Sequence, residues 1–186
     1  MMKITAKIGA FMLLLVTLAC ASNKNSATPE EIAALDEMIE NRNFEIQALW
    51  ARPMPSQGMN SIANAGLLPF GSTANRIDIT TTGGYFRMVG DTVKANLPYF
   101  GERQIGGHYN PKKAGIRFDG VPKELSFSSN KRETGKIMRF TINDDLENYQ
   151  VYAQLFPNGN ALLTISSSHR RNIGYQGNVS KYAKKE

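Results

Sequence analysis

The chain has one cysteine, two histidines and one tryptophan among its 186 residues. A single cysteine excludes an internal disulfide framework, so an apolar core has to hold the fold. One cysteine and two histidines are also too few soft ligands for a structural zinc site. The longest apolar stretch, Ile8 to Ala19, spans twelve residues, short of the ~20 that a helix needs to cross a bilayer. No Gly-x-Ser-x-Gly elbow occurs. Asp144-Asp145-Leu146-Glu147-Asn148 lacks the spacing of a calcium loop and reads as a solvated turn. Thr134-Gly135-Lys136-Ile137 fails as a phosphate loop, because Asn130 replaces the first glycine and Ile137 the magnesium-binding hydroxyl. These absences predict a non-enzyme with no metal and no cofactor.

What is present describes an exported globular protein. Hydrophobic residues make up 41% and charged residues 20%, a balance that supports one packed domain. Lys3 and Lys7 precede the Ile8–Ala19 stretch, which has the proportions of a secretory h-region. Residues 1–19 are therefore read as a signal peptide. Thr17-Leu18-Ala19-Cys20 resembles a bacterial lipobox, in which Cys20 would be lipidated and become the new N-terminus. Ala19-Cys20-Ala21 also satisfies ordinary signal peptidase, so cleavage before Cys20 and cleavage after Ala21 both fit. Residues 20–28 read as a polar tether. Losing Lys3 and Lys7 lowers the formal charge of +6 by two. The remaining basic pairs, Lys112-Lys113, Lys131-Arg132 and Arg170-Arg171, are scattered, which argues against a nucleic-acid partner.

Thr28-Pro29-Glu30-Glu31 opens a helix predicted over 29–43, with a Thr-x-x-Glu capping box and proline in the first turn. Ile32, Leu35, Met38 and Ile39 give it one apolar stripe. From Phe44 the period becomes two, ending at Pro53, and residues 53–75 read as a long loop. No second helical pattern is apparent. Strands separated by turn signals follow, including a hairpin at Gly83-Gly84 flanked by 76–82 and 85–89. The count reaches about nine or ten short strands. Tight turns favour antiparallel pairing, so the predicted fold is mainly β: a meander curved into a barrel or two-layer sandwich, with the N-terminal helix packed on it. Residues 44–180 form this single domain, and 181–186 are a charged tail.

Two segments stand out as ligand or partner candidates. Leu97-Pro98-Tyr99-Phe100-Gly101 ends a strand with Tyr99 and Phe100 on opposite faces, just before a loop carrying His108. Arg170 and Arg171 follow His169 at another strand end and precede the glycine-bracketed Tyr175. The arginines can clamp an anion or form sheet-end salt bridges. Both histidines read as surface residues, since no oriented third group accompanies them.

Leu97-Pro98-Tyr99-Phe100-Gly101, Gly115-Ile116-Arg117-Phe118, Gly159-Asn160-Ala161 and Arg171-Asn172-Ile173-Gly174-Tyr175-Gln176-Gly177 together resemble the family grouped as domain of unknown function 4251. The resemblance runs from about Phe44 to Val179. It implies a small exported envelope protein of the Bacteroidetes type, with a lipoprotein-like signal, and brings no catalytic residue or cofactor. The expected location is the periplasm or outer membrane of a Gram-negative bacterium, with the membrane as a partner through Cys20. The expected role is binding of an apolar or glycan ligand, a lipid or an envelope protein. A surface scaffold acting through the 53–75 loop or an open sheet edge is the alternative, and a lipid or glycan hydrolase the third reading.

Overall fold

The computed structural model describes residues 27–105, 114–130, 135–144 and 147–184. Cys20, the predicted signal, His108 and the pairs Lys112-Lys113 and Lys131-Arg132 lie outside the described residues. Helix α1 spans Pro29–Glu40. The Thr28 hydroxyl accepts from the Glu31 backbone at 3.2 Å, and the Glu31 carboxylate accepts from the Thr28 backbone at 2.8 Å, which completes the capping box. The helix stops short of residue 43. Asn41 caps it, and Arg42 enters the left-handed region at φ 46° to turn the chain into the sheet. Leu35 is buried, while Met38 and Ile39 rest against the core. The apolar stripe thus seats α1 on the β domain.

Strand β1 spans Asn43–Pro53. Phe44, Ile46 and Ala48 point inward, and a register shift between Ala48 and Trp50 then brings Ala51 inward. The bulge bends the strand at this point. Two expectations fail just beyond it. Residues 53–75 are not a plain loop, because Gln57–Asn64 form helix α2, capped by the Ser56 hydroxyl accepting from Met59. Eight residues bounded by Pro55 and Gly66 bury only Met59, too little to imprint an apolar stripe on the sequence. Gly83-Gly84 is not a hairpin turn either. Strand β2 is only Ile77–Asp78 and pairs with β1. The Asp78 carboxylate accepts from both the backbone and the hydroxyl of Thr80, at 2.9 and 2.7 Å. That Asx-type turn leads into a single 3-10 turn at Thr80–Thr82. Gly83, at φ 65°, then redirects the chain into β3.

The remaining strands are β3 Tyr85–Val89, β4 Thr92–Leu97, β5 Ile116–Gly120, β6 Lys123–Ser129, β7 Lys136–Asp144, β8 Glu147–Leu155, β9 Asn160–Ser167 and β10 Ile173–Ser180. They form one antiparallel sheet in the order β5-β4-β3-β1-β10-β9-β8-β7-β6, with β2 off the path on β1. The sheet is a curled half-barrel, not a sandwich. Its two edges, β5 and β6, are consecutive in the chain and joined only by Val121-Pro122. Its first and last strands, β1 and β10, lie side by side near the middle. Gly177 makes that pairing tight, since a Cβ there would sit 1.9 Å from the Gln47 carbonyl oxygen.

Side chains fill the inside of the curl. The Phe86 ring lies 6.3 Å from Phe44, 6.4 Å from Phe118 and 5.9 Å from Phe140, and Phe118 lies 5.6 Å from Tyr149. These are packing distances for aromatic rings. Among the described residues, the inside of the curl is packed core. Among the described residues, no helix is long and apolar enough to cross a membrane.

Candidate functional site

Five of the candidate residues read from the sequence meet at one end of the sheet. Arg170, only 3% exposed, donates through Nε and Nη2 to the two oxygens of Glu147 at 2.8 and 3.1 Å. Its Nη1 reaches the carbonyl oxygens of Ala114 and Gly115 at 2.8 and 3.0 Å. The Ser167 hydroxyl also donates to Glu147. Burial alone would raise the Glu147 pKa, but the bonds from Ser167 and Arg170 outweigh it and hold the carboxyl below its ordinary value. Tyr99 lies under Arg170, with the guanidinium 5.2 Å from its ring, and its hydroxyl faces the carbonyl oxygens of Glu102 and Arg171. Tyr175 is buried and donates to the Pro98 carbonyl at 2.8 Å. Burial raises the pKa of both phenols. Phe100 packs against the core.

Arg171 sits at the rim, 3.5 Å from Glu102 and 3.4 Å from the Pro55 carbonyl. His169 contacts the Ser168 hydroxyl at 2.8 Å. The cluster therefore uses its polar groups on itself. It ties the 98–105 segment and residues 114–115 to the ends of β8, β9 and β10, and so closes that end of the curl. Of the two arginine roles left open by the sequence, the sheet-end salt bridge describes the observed contacts.

The solvent-open constellation lies elsewhere, on the outer face of β1, β3, β4 and β5. Strand register places Glu45, Arg87, Lys94 and Asp119 directly beside one another across four strands. The next rung holds Gln47, Tyr85, Asn96 and Arg117. Two adjacent cations are thus framed by two carboxylates, above a rung of amides, a phenol and a guanidinium. Three adjoining hollows of about 370, 380 and 460 Å³ run along this face, the last reaching Tyr182 and Lys181.

Contacts within the groove hold it in shape. Arg87 pairs with Glu45 while its guanidinium lies 3.8 Å over the Tyr85 ring and 4.8 Å from that of Tyr182. Burial alone would lower the Arg87 pKa, yet the Glu45 bond and charge raise it. Lys94 and Asp119 pair at 2.7 Å, and the hydrogen bond that Lys94 donates to Asp119 raises its pKa. Arg117 donates to Asn96 at 2.9 Å. Chemically, the face offers aromatic rings for stacking and paired charged groups for bridging neighbouring hydroxyls or a carboxylate. These residues carry no motif in the sequence. Tyr85, Arg87, Lys94 and Asn96 occupy alternate positions of one hairpin, the signal of a shared outer face, but their alignment with Glu45 and Asp119 depends on a register that runs from Asn43 to Gly120. Among the described residues, no group of three or more metal-ligating side chains is assembled.

A family model described as Domain of unknown function (DUF4251) matches residues 26–179. A crystal structure of a DUF4251 family protein from Bacteroides eggerthii DSM 20697, at 1.95 Å resolution, superposes with a TM-score of 0.55. The two chains share 12% identity over 82% of this chain and 88% of that one, so the likeness speaks for the fold alone. No curated protein matches.

Proposed function

The chain belongs to the DUF4251 family, and from that premise we propose that it is an exported, lipid-anchored binding protein of the Gram-negative cell envelope whose ligand is a glycan. One observation carries the reading: the two polar rungs across β1, β3, β4 and β5, open to solvent and edged by Tyr85 and Tyr182. Sugars present apolar ring faces beside vicinal hydroxyls. Stacking on phenol rings and bridging by Arg87, Lys94 and their carboxylate neighbours answers both properties. The filled interior argues against an apolar ligand held inside the curl, as a lipid carrier would need. Cys20 at the end of the predicted h-region supports anchoring, with the polar tether that follows it setting the domain off from the bilayer.

Chemical-shift mapping against a panel of neutral and uronic-acid-containing oligosaccharides tests the groove. Shifts are expected at Tyr85, Arg87, Lys94 and Tyr182, and Tyr85→Ala should abolish them. A panel that produces no shifts at millimolar concentration, or a Tyr85→Ala variant that binds as well as the parent, defeats the glycan reading. Cys20→Ala should move the protein out of the membrane fraction; retention there would defeat the lipid anchor.

A further inference from the structure

We propose that the segment between β1 and β2 is a bilayer-contacting element that rests Leu67 and Phe70 on the lipid surface. This goes beyond the glycan reading and does not depend on it. Between Pro53 and Asn75 the chain contains no acidic residue, and Arg52 and Arg76 flank it at both roots. Both arginines are exposed. Arg171 reaches the same base through the Pro55 carbonyl. Glu102, paired with Arg171, and Asp78, hydrogen-bonded to Thr80, are the nearby carboxylates, and both are engaged at the foot of the segment.

The segment is held in shape. Met59 is buried, and Leu68 and Ala74 pack against the core. The Leu67 and Ser72 amides donate to the Ile62 and Pro69 carbonyls at 3.2 and 3.0 Å. With those anchors inside, Phe70 is fully exposed and Leu67 is 73% exposed, and Met54 and Ile62 of the same segment are exposed as well. Isolated exposed apolar residues are ordinary, but four of the exposed large apolar side chains fall on this one rooted segment. A tip carrying Leu67-Leu68-Pro69-Phe70, on a segment that is free of acids and rooted between arginines, complements a bilayer with anionic headgroups better than it complements a basic protein such as a second copy of this chain.

The chain from residue 20 to 186, which carries every described element, tests the inference with Cys20→Ser so that no lipid can be attached. It should co-sediment with vesicles of phosphatidylethanolamine containing a minority of phosphatidylglycerol, and less so as that fraction falls. Replacing Leu67 and Phe70 together by serine should weaken binding about tenfold or more and leave the unfolding midpoint unchanged, because both are exposed. Tyr85→Ala should bind vesicles like the parent, which separates this element from the glycan groove. Parent protein left in the supernatant at every lipid concentration overturns the inference, as does a double-serine variant that binds equally well. A concentration-dependent dimer abolished by the double variant, without vesicle binding, would assign the patch to self-association instead. A second readout does not rely on the double variant folding. Phe70→Cys, labelled with a polarity-sensitive dye in the Cys20→Ser chain, should shift to the blue on vesicles, and unchanged emission overturns the inference.

Discussion

Arg170 and Glu147 meet at the closed end of the sheet between Tyr99 and Tyr149, while Arg87 and Glu45 meet on its outer face between Tyr85 and Tyr182. The chemistry is nearly the same and the surroundings are not. Side-chain exposure is 2% for Arg170 and 11% for Glu147, against 29% for Arg87 and 20% for Glu45. At the closed end all three guanidinium nitrogens donate to protein oxygens, so the pair functions as a fastening. On the outer face the pair keeps one side toward water, where a ligand can compete for it. A buried ion pair is costly to break rather than strongly stabilising in itself, because removing one partner strands the other away from water. An exposed pair loses little when it is broken.

Substituting the two arginines is the sharpest way to test this contrast. Arg170→Met should lower unfolding stability by about 3–5 kcal/mol in a denaturant titration, since it strands Glu147 and the two carbonyls it holds. Arg87→Met should change it by less than about 1 kcal/mol. Equal losses would erase the distinction. Acid should separate the two regions next. Glu147 is held below its ordinary pKa, so its contribution is present above the ordinary carboxylate value of 4.5 and is lost as pH falls through the lower folded value. Glu147→Gln should be less stable at neutral pH yet show a shallower decline in acid, measured as midpoint against pH. An acid limb of unchanged steepness would mean that other carboxylates control it. Tyr175→Phe should cost about 1 kcal/mol by leaving the Pro98 carbonyl without its donor. Smallest of all on stability is Lys94→Met, which should leave the unfolding midpoint in place while weakening oligosaccharide-induced shifts. A Lys94→Met variant that binds normally would restrict the groove to Tyr85, Arg87 and Tyr182.

Local chemistry explains which parts of this molecule could be read in advance. The α1 cap needs only Thr28 and Glu31, and strands such as β7 need only the alternation of Met138, Phe140 and Ile142, so both were legible. The bulge in β1 was not, because Ala48, Leu49, Trp50 and Ala51 are all apolar, so alternation marks no face there and only the pairing with β10 shows the shift. Gly83-Gly84 looks like a hairpin until the Asp78 side chain is seen bending the chain before it. The candidate residues Tyr99, Arg170 and Tyr175 come from two separate segments that the fold brings to one end of the sheet. Their enclosure depends on Glu147, 23 positions from Arg170, and on carbonyls farther still, which no short motif encodes. The outer-face ladder is harder again, since each member is an ordinary surface residue until four strands align.

The pairing of β1 with β10 also dictates when the fold can exist. Asn43 donates to the Tyr182 carbonyl across 139 positions of sequence, and β1 is flanked by β3 on one side and by the last strand on the other. A chain produced or threaded from its N-terminus can assemble β3, β4 and β5 on β1, but one side of β1 stays unpaired until β10 arrives. Such distant pairing slows folding and leaves an open edge in the interval. The final strand acts as the timer, leaving the domain unfinished until β10 pairs with β1 and β9.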